Sequence, residues 1–188
     1  MKRSKVLARL SLLAALTVAG QAAGLPQPFT GPFVNAMLVL TVALVGWVPA
    51  LGLGCVTPVV ALLRGLLPPA LGPAVPVIAL GNGLLVGAYA SVCRLWRRLP
   101  ASPGVLPGTV AVVAAALAKY LWLTLGVRLI LPVVLGTKLS PSLVLVLTTW
   151  QLFTALAGVL AALGFNAVLA RIGLLPMWRR GDGEETAC

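Results

Sequence analysis

The sequence predicts an all-α integral membrane protein, a compact bundle of six transmembrane helices with N- and C-termini in the cytoplasm. Three observations lead there. Of the 188 residues, 60% are hydrophobic and only 9% are charged, roughly the inverse of a soluble domain's balance. The mean hydropathy of +1.07 is spread over nearly the whole chain, whereas a secreted protein confines such residues to one N-terminal segment. Breakers rich in Pro and Gly then divide the apolar sequence into six segments, most of them near the roughly 20 residues that a spanning helix needs. One membrane domain, residues 1–176, accounts for all six, and residues 177–188 form a polar C-terminal tail.

The first span, 6–23, follows Lys2, Arg3 and Lys5 and ends at Gly24-Leu25-Pro26, a helix breaker. It also has the outline of a cleavable signal peptide: basic start, apolar middle, and small residues Gly20, Ala22 and Ala23. Arg9 inside the apolar stretch and the five segments that follow favour a retained helix. The second and third spans, 33–50 and 51–67, are divided at Pro49 and the Gly52/Gly54 pair, and Pro68, Pro69 and Pro73 close the third. The fourth, 74–96, ends among Arg94, Trp96, Arg97 and Arg98. A Pro/Gly-rich loop, 99–108, leads to the fifth, 109–131. The segment 132–141 then leaves the apolar zone, and the sixth span, 142–170, ends at Arg171.

Charge sets the orientation. Lys and Arg number 14 against 3 acidic residues, and the acids, Asp182, Glu184 and Glu185, all lie in the tail. With the N-terminus inside, Lys2, Arg3, Lys5, Arg9, Arg94, Arg97, Arg98, Arg171, Arg179 and Arg180 face the cytoplasm, as the positive-inside rule expects for short loops. That rule accounts for the net charge of +11 without nucleic acid as a partner. The absence of a carboxylate from the spans weighs against proton relays and cation sites. With zero histidines, His-based haem ligation and Ser-His-Asp catalysis are excluded. Cys55, Cys93 and Cys188 are odd in number and widely spaced, so neither a metal site nor a disulfide framework is expected, and no bound cofactor is expected. An enzyme is not expected either, since the spans lack a paired nucleophile and base.

Small residues at four-residue spacing mark close helix packing. Gly83/Gly87, Ala157/Ala161 and Gly158/Ala162 read as internal contacts. Ala15, Ala19 and Ala23 form a smooth ladder on the first helix, and with Arg9 and Gln21 they suit a helix that meets another protein.

Polar residues within spans are the candidate site. A central Lys costs about 2.5 to 3.5 kcal/mol on insertion scales, so Lys119, near the midplane of the fifth span, calls for an explanation. It shares a helical face with Val112, Ala115, Ala116, Trp122 and Gly126, where three small residues favour an inward direction. An inward ammonium must be met by carbonyls, amides, water or an anionic ligand, and carbonyl capping at a helix break is the purely structural alternative. Arg128 is expected to reach the headgroups. Arg64 reaches either an outer pocket or the interface. Asn35, Asn82, Trp150 and Gln151 fall in the outer halves of their helices. Together with Arg64 and Lys119 they outline an outward-facing cavity for a small polar or anionic molecule.

Three stretches carry a family resemblance: Thr30-Gly31-Pro32-Phe33-Val34-Asn35-Ala36, then Thr57-Pro58-Val59-Val60-Ala61-Leu62-Leu63-Arg64-Gly65-Leu66-Leu67-Pro68-Pro69, then Pro76-Val77-Ile78-Ala79-Leu80-Gly81-Asn82. The chain resembles the substrate-binding S components of energy-coupling factor (ECF) transporters, and most closely a subgroup of unassigned ligand. The likeness covers most of residues 6–96 by motif and the rest by helix count, size and basic termini. It implies a multi-pass prokaryotic plasma-membrane protein that captures a vitamin or similar micronutrient from outside. It also implies partners, a transmembrane coupling subunit and two ATPase subunits, which would hydrolyse the ATP. Under the resemblance, Ala15, Ala19 and Ala23 match the ladder that docks to the coupling subunit, and Gly24 to Pro32 matches the lid over the ligand. The competing expectation is a non-transporting membrane anchor or scaffold of a larger complex, whose polar residues only tie helices together.

Overall fold

The structure, a computed structural model, describes residues 2–24, 26–98, 106–136 and 138–172. The expected tail and most of the expected loop 99–108 lie outside the described residues, which are helical with no strand among them. The helices are α1 (Lys2–Ala22), α2 (Gln27–Leu44), α3 (Trp47–Leu63), α4 (Ala74–Arg98) and α5 (Leu106–Leu125). A π-helical turn (Gly126–Ile130) joins α5 to α6 (Leu131–Leu135), and α7 (Pro141–Leu147) precedes α8 (Thr149–Arg171). Among the described residues four stretches are long and apolar enough to cross a membrane, namely Ser4–Ala22, Ala74–Trp96, Gly108–Leu135 and Pro141–Leu169, and they mark the chain as a membrane protein. Pro28–Leu44 and Trp47–Leu63 are shorter apolar helices.

Several boundaries differ from the sequence expectation, each for a local reason. The α2–α3 turn lies at Val45-Gly46 and not at Pro49. Thr41 O accepts from the N–H of both Val45 and Gly46, which closes α2, and Gly46 has a φ of 131° that only glycine adopts readily. Pro49 sits in the first turn of α3, where a missing N–H has no helical partner to lose. The expected lid, Gly24 to Pro32, is largely helix, because α2 begins at Gln27 and Pro28 in its first turn suits a helix start. The fifth span runs on to Leu135 and stops at Gly136, whose φ of 66° is a left-handed C-cap. The π turn falls just before Pro132, which has no N–H to continue the regular ladder, and Leu131 N–H instead bonds Gly126 O five residues back.

Three contacts order the ends of the bundle. At one end Arg9 Nη1 donates to Leu44 O at 3.3 Å, and the Arg94 guanidinium lies 5.2 Å from the Trp47 ring centre. At the other, Arg64 Nη2 donates to Ala22 O at 3.0 Å. The start of α1, the α2–α3 turn and the end of α4 therefore share one end, and the ends of α1 and α3 share the opposite one.

The core centres on α2, where Leu38, Val39 and Val42 are fully buried. Glycines set the closest approaches, though not the expected pair: a Cβ on Gly87 would meet nothing within 4 Å. On Gly54 it would meet Asn82 Cβ at 3.2 Å, and on Gly81 Leu123 at 3.3 Å. A Cβ on Gly158 would collide with Pro32 O and lie 2.7 Å from Asn35 Cβ. Of the two steps expected on α8, Ala157/Ala161 is exposed, while Gly158/Ala162 is buried and packs with Ala155 and Val159.

Candidate functional site: a lysine cradled by amides

Pro58 starts the site. Lacking an N–H, it leaves Gly54 O in α3 without its usual helical donor. A buried carbonyl needs a partner, and Asn82 Nδ2 supplies one from α4 at 3.0 Å, helped by Thr57 Oγ1 at 3.2 Å. Gly54 makes this possible, since its lack of a side chain lets α4 approach. Asn82 Nδ2 also donates to Thr57 Oγ1 at 3.1 Å. These contacts fix the flip of the Asn82 amide, because its nitrogen must face the acceptors.

The Asn82 oxygen consequently turns to Lys119. Lys119 Nζ donates to Asn82 Oδ1 at 2.8 Å and to Asn35 Oδ1 at 2.7 Å. All three residues are at most 3% exposed. One ammonium thus joins α2, α4 and α5. The Lys119 face is inward as its small neighbours suggested: Val112, Ala115, Ala116 and Gly126 are buried with it. Gly158 places Asn35, since only a bare backbone on α8 lets α2 come this close. Trp122 Nε1 donates to Val77 O at 2.9 Å, a second tie between α4 and α5.

Two polar atoms in this region are left over. Asn35 Oδ1 is committed to Lys119, and Asn35 Nδ2 is buried with no hydrogen-bond partner. Gln21 Nε2 donates to Thr57 O at 3.1 Å, which leaves Gln21 Oε1 buried and unpaired. An ammonium has three N–H donors, and the two amides use two of them. Asn35, Gln21 and Lys119 all line one cavity of about 90 Å³. Its walls are mainly apolar, with Val34, Pro58, Ala61, Leu67, Ile78 and Leu147, while Gln151 and Thr57 add polar groups.

The structure brings four of the six expected site residues to this cavity: Asn35, Asn82, Lys119 and Gln151. Arg64 is not among its lining residues; it is exposed and bonds the carbonyl end of α1. Trp150 is also elsewhere, 45% exposed and edge-on to Phe153. Ala157 and Ala161, further along the same helix, are exposed as well. Arg128 is exposed, as expected of a residue that leaves the bundle interior.

Gln21 corrects another expectation. The sequence groups it with Arg9 on a partner-facing surface, yet it is buried and bonds α3. On α1 two ladders of four-residue spacing lie back to back: Leu13, Thr17 and Gln21 are buried, while Ala15, Ala19 and Ala23 are exposed. Two residues are about 200° of helix, which explains the opposition. The sequence signal for Gln21 was the polar Thr17/Gln21 pair itself, and for Thr57 the proline that follows it.

Among the described residues no group of His, Cys, Asp or Glu could hold a metal ion. No family model, curated protein or solved structure matches the chain.

Proposed function

We propose that this chain is the substrate-binding subunit, or S component, of an ECF-type importer. It would capture a vitamin or similar micronutrient at the outer face of a prokaryotic plasma membrane and deliver it with a partner ATPase module. The observation that carries this reading is the buried ammonium of a cavity whose lining residues Asn35 and Gln21 each keep a buried, unpaired amide atom. Burial of unpaired polar groups costs about 1 to 3 kcal/mol each, and a ligand that pairs them recovers that cost.

In this reading six helices cross the bilayer, α2 and α3 being the two shorter ones, and both termini are cytoplasmic. The end holding Arg9 and Arg94 is inner, and the end holding Arg64 is outer, which puts the cavity in the outer half. The first turns of α2, with Thr30 and Gly31 on the cavity wall, take the place of the lid. The exposed Ala15, Ala19 and Ala23 present a smooth lipid-side face to the coupling subunit, in keeping with the small-residue contacts of membrane helices. The sequence has no phosphate-binding loop, so energy comes from the two ATPases.

The anchor reading has one observation in its favour: the Lys119 bonds tie three helices together, which is useful without any ligand. Affinity purification of the full chain from native membranes separates the two. Recovery of a transmembrane coupling subunit with two ATPases supports the importer. Recovery of a redox or biosynthetic enzyme with no ATPase overturns it.

A further inference from the structure

Deepening the capture reading and resting on it, we infer that the ligand is a monoanionic carboxylate. The inference follows from three countable properties of the cavity.

The first is charge. Among the described residues Lys119 is the buried cation, and the three acidic side chains, Asp182, Glu184 and Glu185, lie outside those residues. An ion in an apolar interior is stable only when compensated, and the amide oxygens of Asn35 and Asn82 offer dipoles but no net charge. One negative charge brings the site to neutrality. A dianion such as a phosphate monoester would leave an excess negative charge buried, and a cationic ligand would add to the positive one.

The second is donor and acceptor placement. The remaining Lys119 N–H and the unpaired Asn35 Nδ2 are both donors, and they belong to side chains already in contact at 2.7 Å. Two adjacent donors match the two oxygens of a carboxylate. Gln21 Oε1 is a further unpaired atom on a residue of the same lining. None of the three amides can flip to change this, because Gly54 O and Thr57 O require amide nitrogens and Lys119 requires amide oxygens.

The third is size and polarity. About 90 Å³ is well below the roughly 300 Å³ of an ordinary ligand pocket. It suits a head group and the atoms next to it, against Val34, Pro58, Ala61 and Leu67.

The test uses the full chain purified in detergent from its native cells, with small molecules released by denaturation and identified by mass before and after carbodiimide coupling to methylamine. The expected result is a stoichiometric compound that couples one methylamine and contains no phosphate. Asn35→Asp then decides the role of the site. An aspartate there pairs with Lys119 internally, removes the Asn35 donor and repels a carboxylate, so the variant folds yet retains the compound at least about thirtyfold less well. Lys119→Met loses it to a similar extent. A neutral, cationic or doubly charged compound overturns the charge match while leaving capture itself standing. Full retention by Asn35→Asp overturns the assignment to this cavity. A wild-type protein that releases no compound overturns the capture reading and this inference with it.

Discussion

Asn82 and Gly54 sit against each other across the α3–α4 interface, the amide of one bonded at 3.0 Å to the carbonyl of the other. That carbonyl is available because Pro58, four residues on, has no N–H to give it. A backbone defect in α3 therefore orients an amide in α4, and the amide's other end holds a lysine in α5. The polar site is a consequence of where one proline falls.

Replacing Asn82 by Leu removes this joint at nearly constant volume. Gly54 O loses its amide donor and one N–H of Lys119 loses its acceptor, so stability falls by at least about 2 kcal/mol. Thermal unfolding in detergent, followed by circular dichroism, reads the change. An unshifted midpoint would show that the network contributes nothing to the fold.

Gly158→Ala places a methyl against Pro32 O and Asn35, forcing α2 away from α8. The expected loss is about 1 to 3 kcal/mol, together with weaker retention of the co-purified ligand because Asn35 moves. Gly164→Ala, six residues further along the same helix, meets nothing within 4 Å. It is neutral or stabilising by up to about 1 kcal/mol, so the pair of variants separates packing from helix propensity.

Ala19→Trp enlarges the exposed ladder of α1 without touching the core. Its unfolding midpoint stays within the scatter of a surface substitution, about 0.5 kcal/mol, while co-purification of the coupling subunit is lost. Retained association would move the docking surface away from Ala15, Ala19 and Ala23.

Trp150→Ala and Arg64→Ala test the two candidates that the structure places outside the cavity lining. Ligand retention changes by less than about twofold in each, as for positions without ligand contact. Arg64→Ala also removes the cation at the carbonyl end of α1, lowering stability by about 0.3 to 1 kcal/mol. A large loss of ligand in either variant would return that residue to the site.

Composition and hydropathy alone determined that this is an all-helical membrane chain, that its helices start and stop near Pro and Gly, and that Lys119 is out of place in its span. These properties are local: they depend on what a stretch of about 20 residues can do in lipid. The inward face of Lys119 was legible for the same reason, from small neighbours at helical spacing. The tertiary structure decided the rest. Lys119 and Asn35 are 84 positions apart, and nothing within either segment says that they meet. Gln21 points inward and Trp150 lies outside the cavity lining because each helix carries small residues on more than one face, and only the packed neighbours select one. Likewise the expected Gly158/Ala162 step became a tight contact while the expected Gly83/Gly87 step did not, since a glycine allows close approach but the opposing helix determines where it occurs.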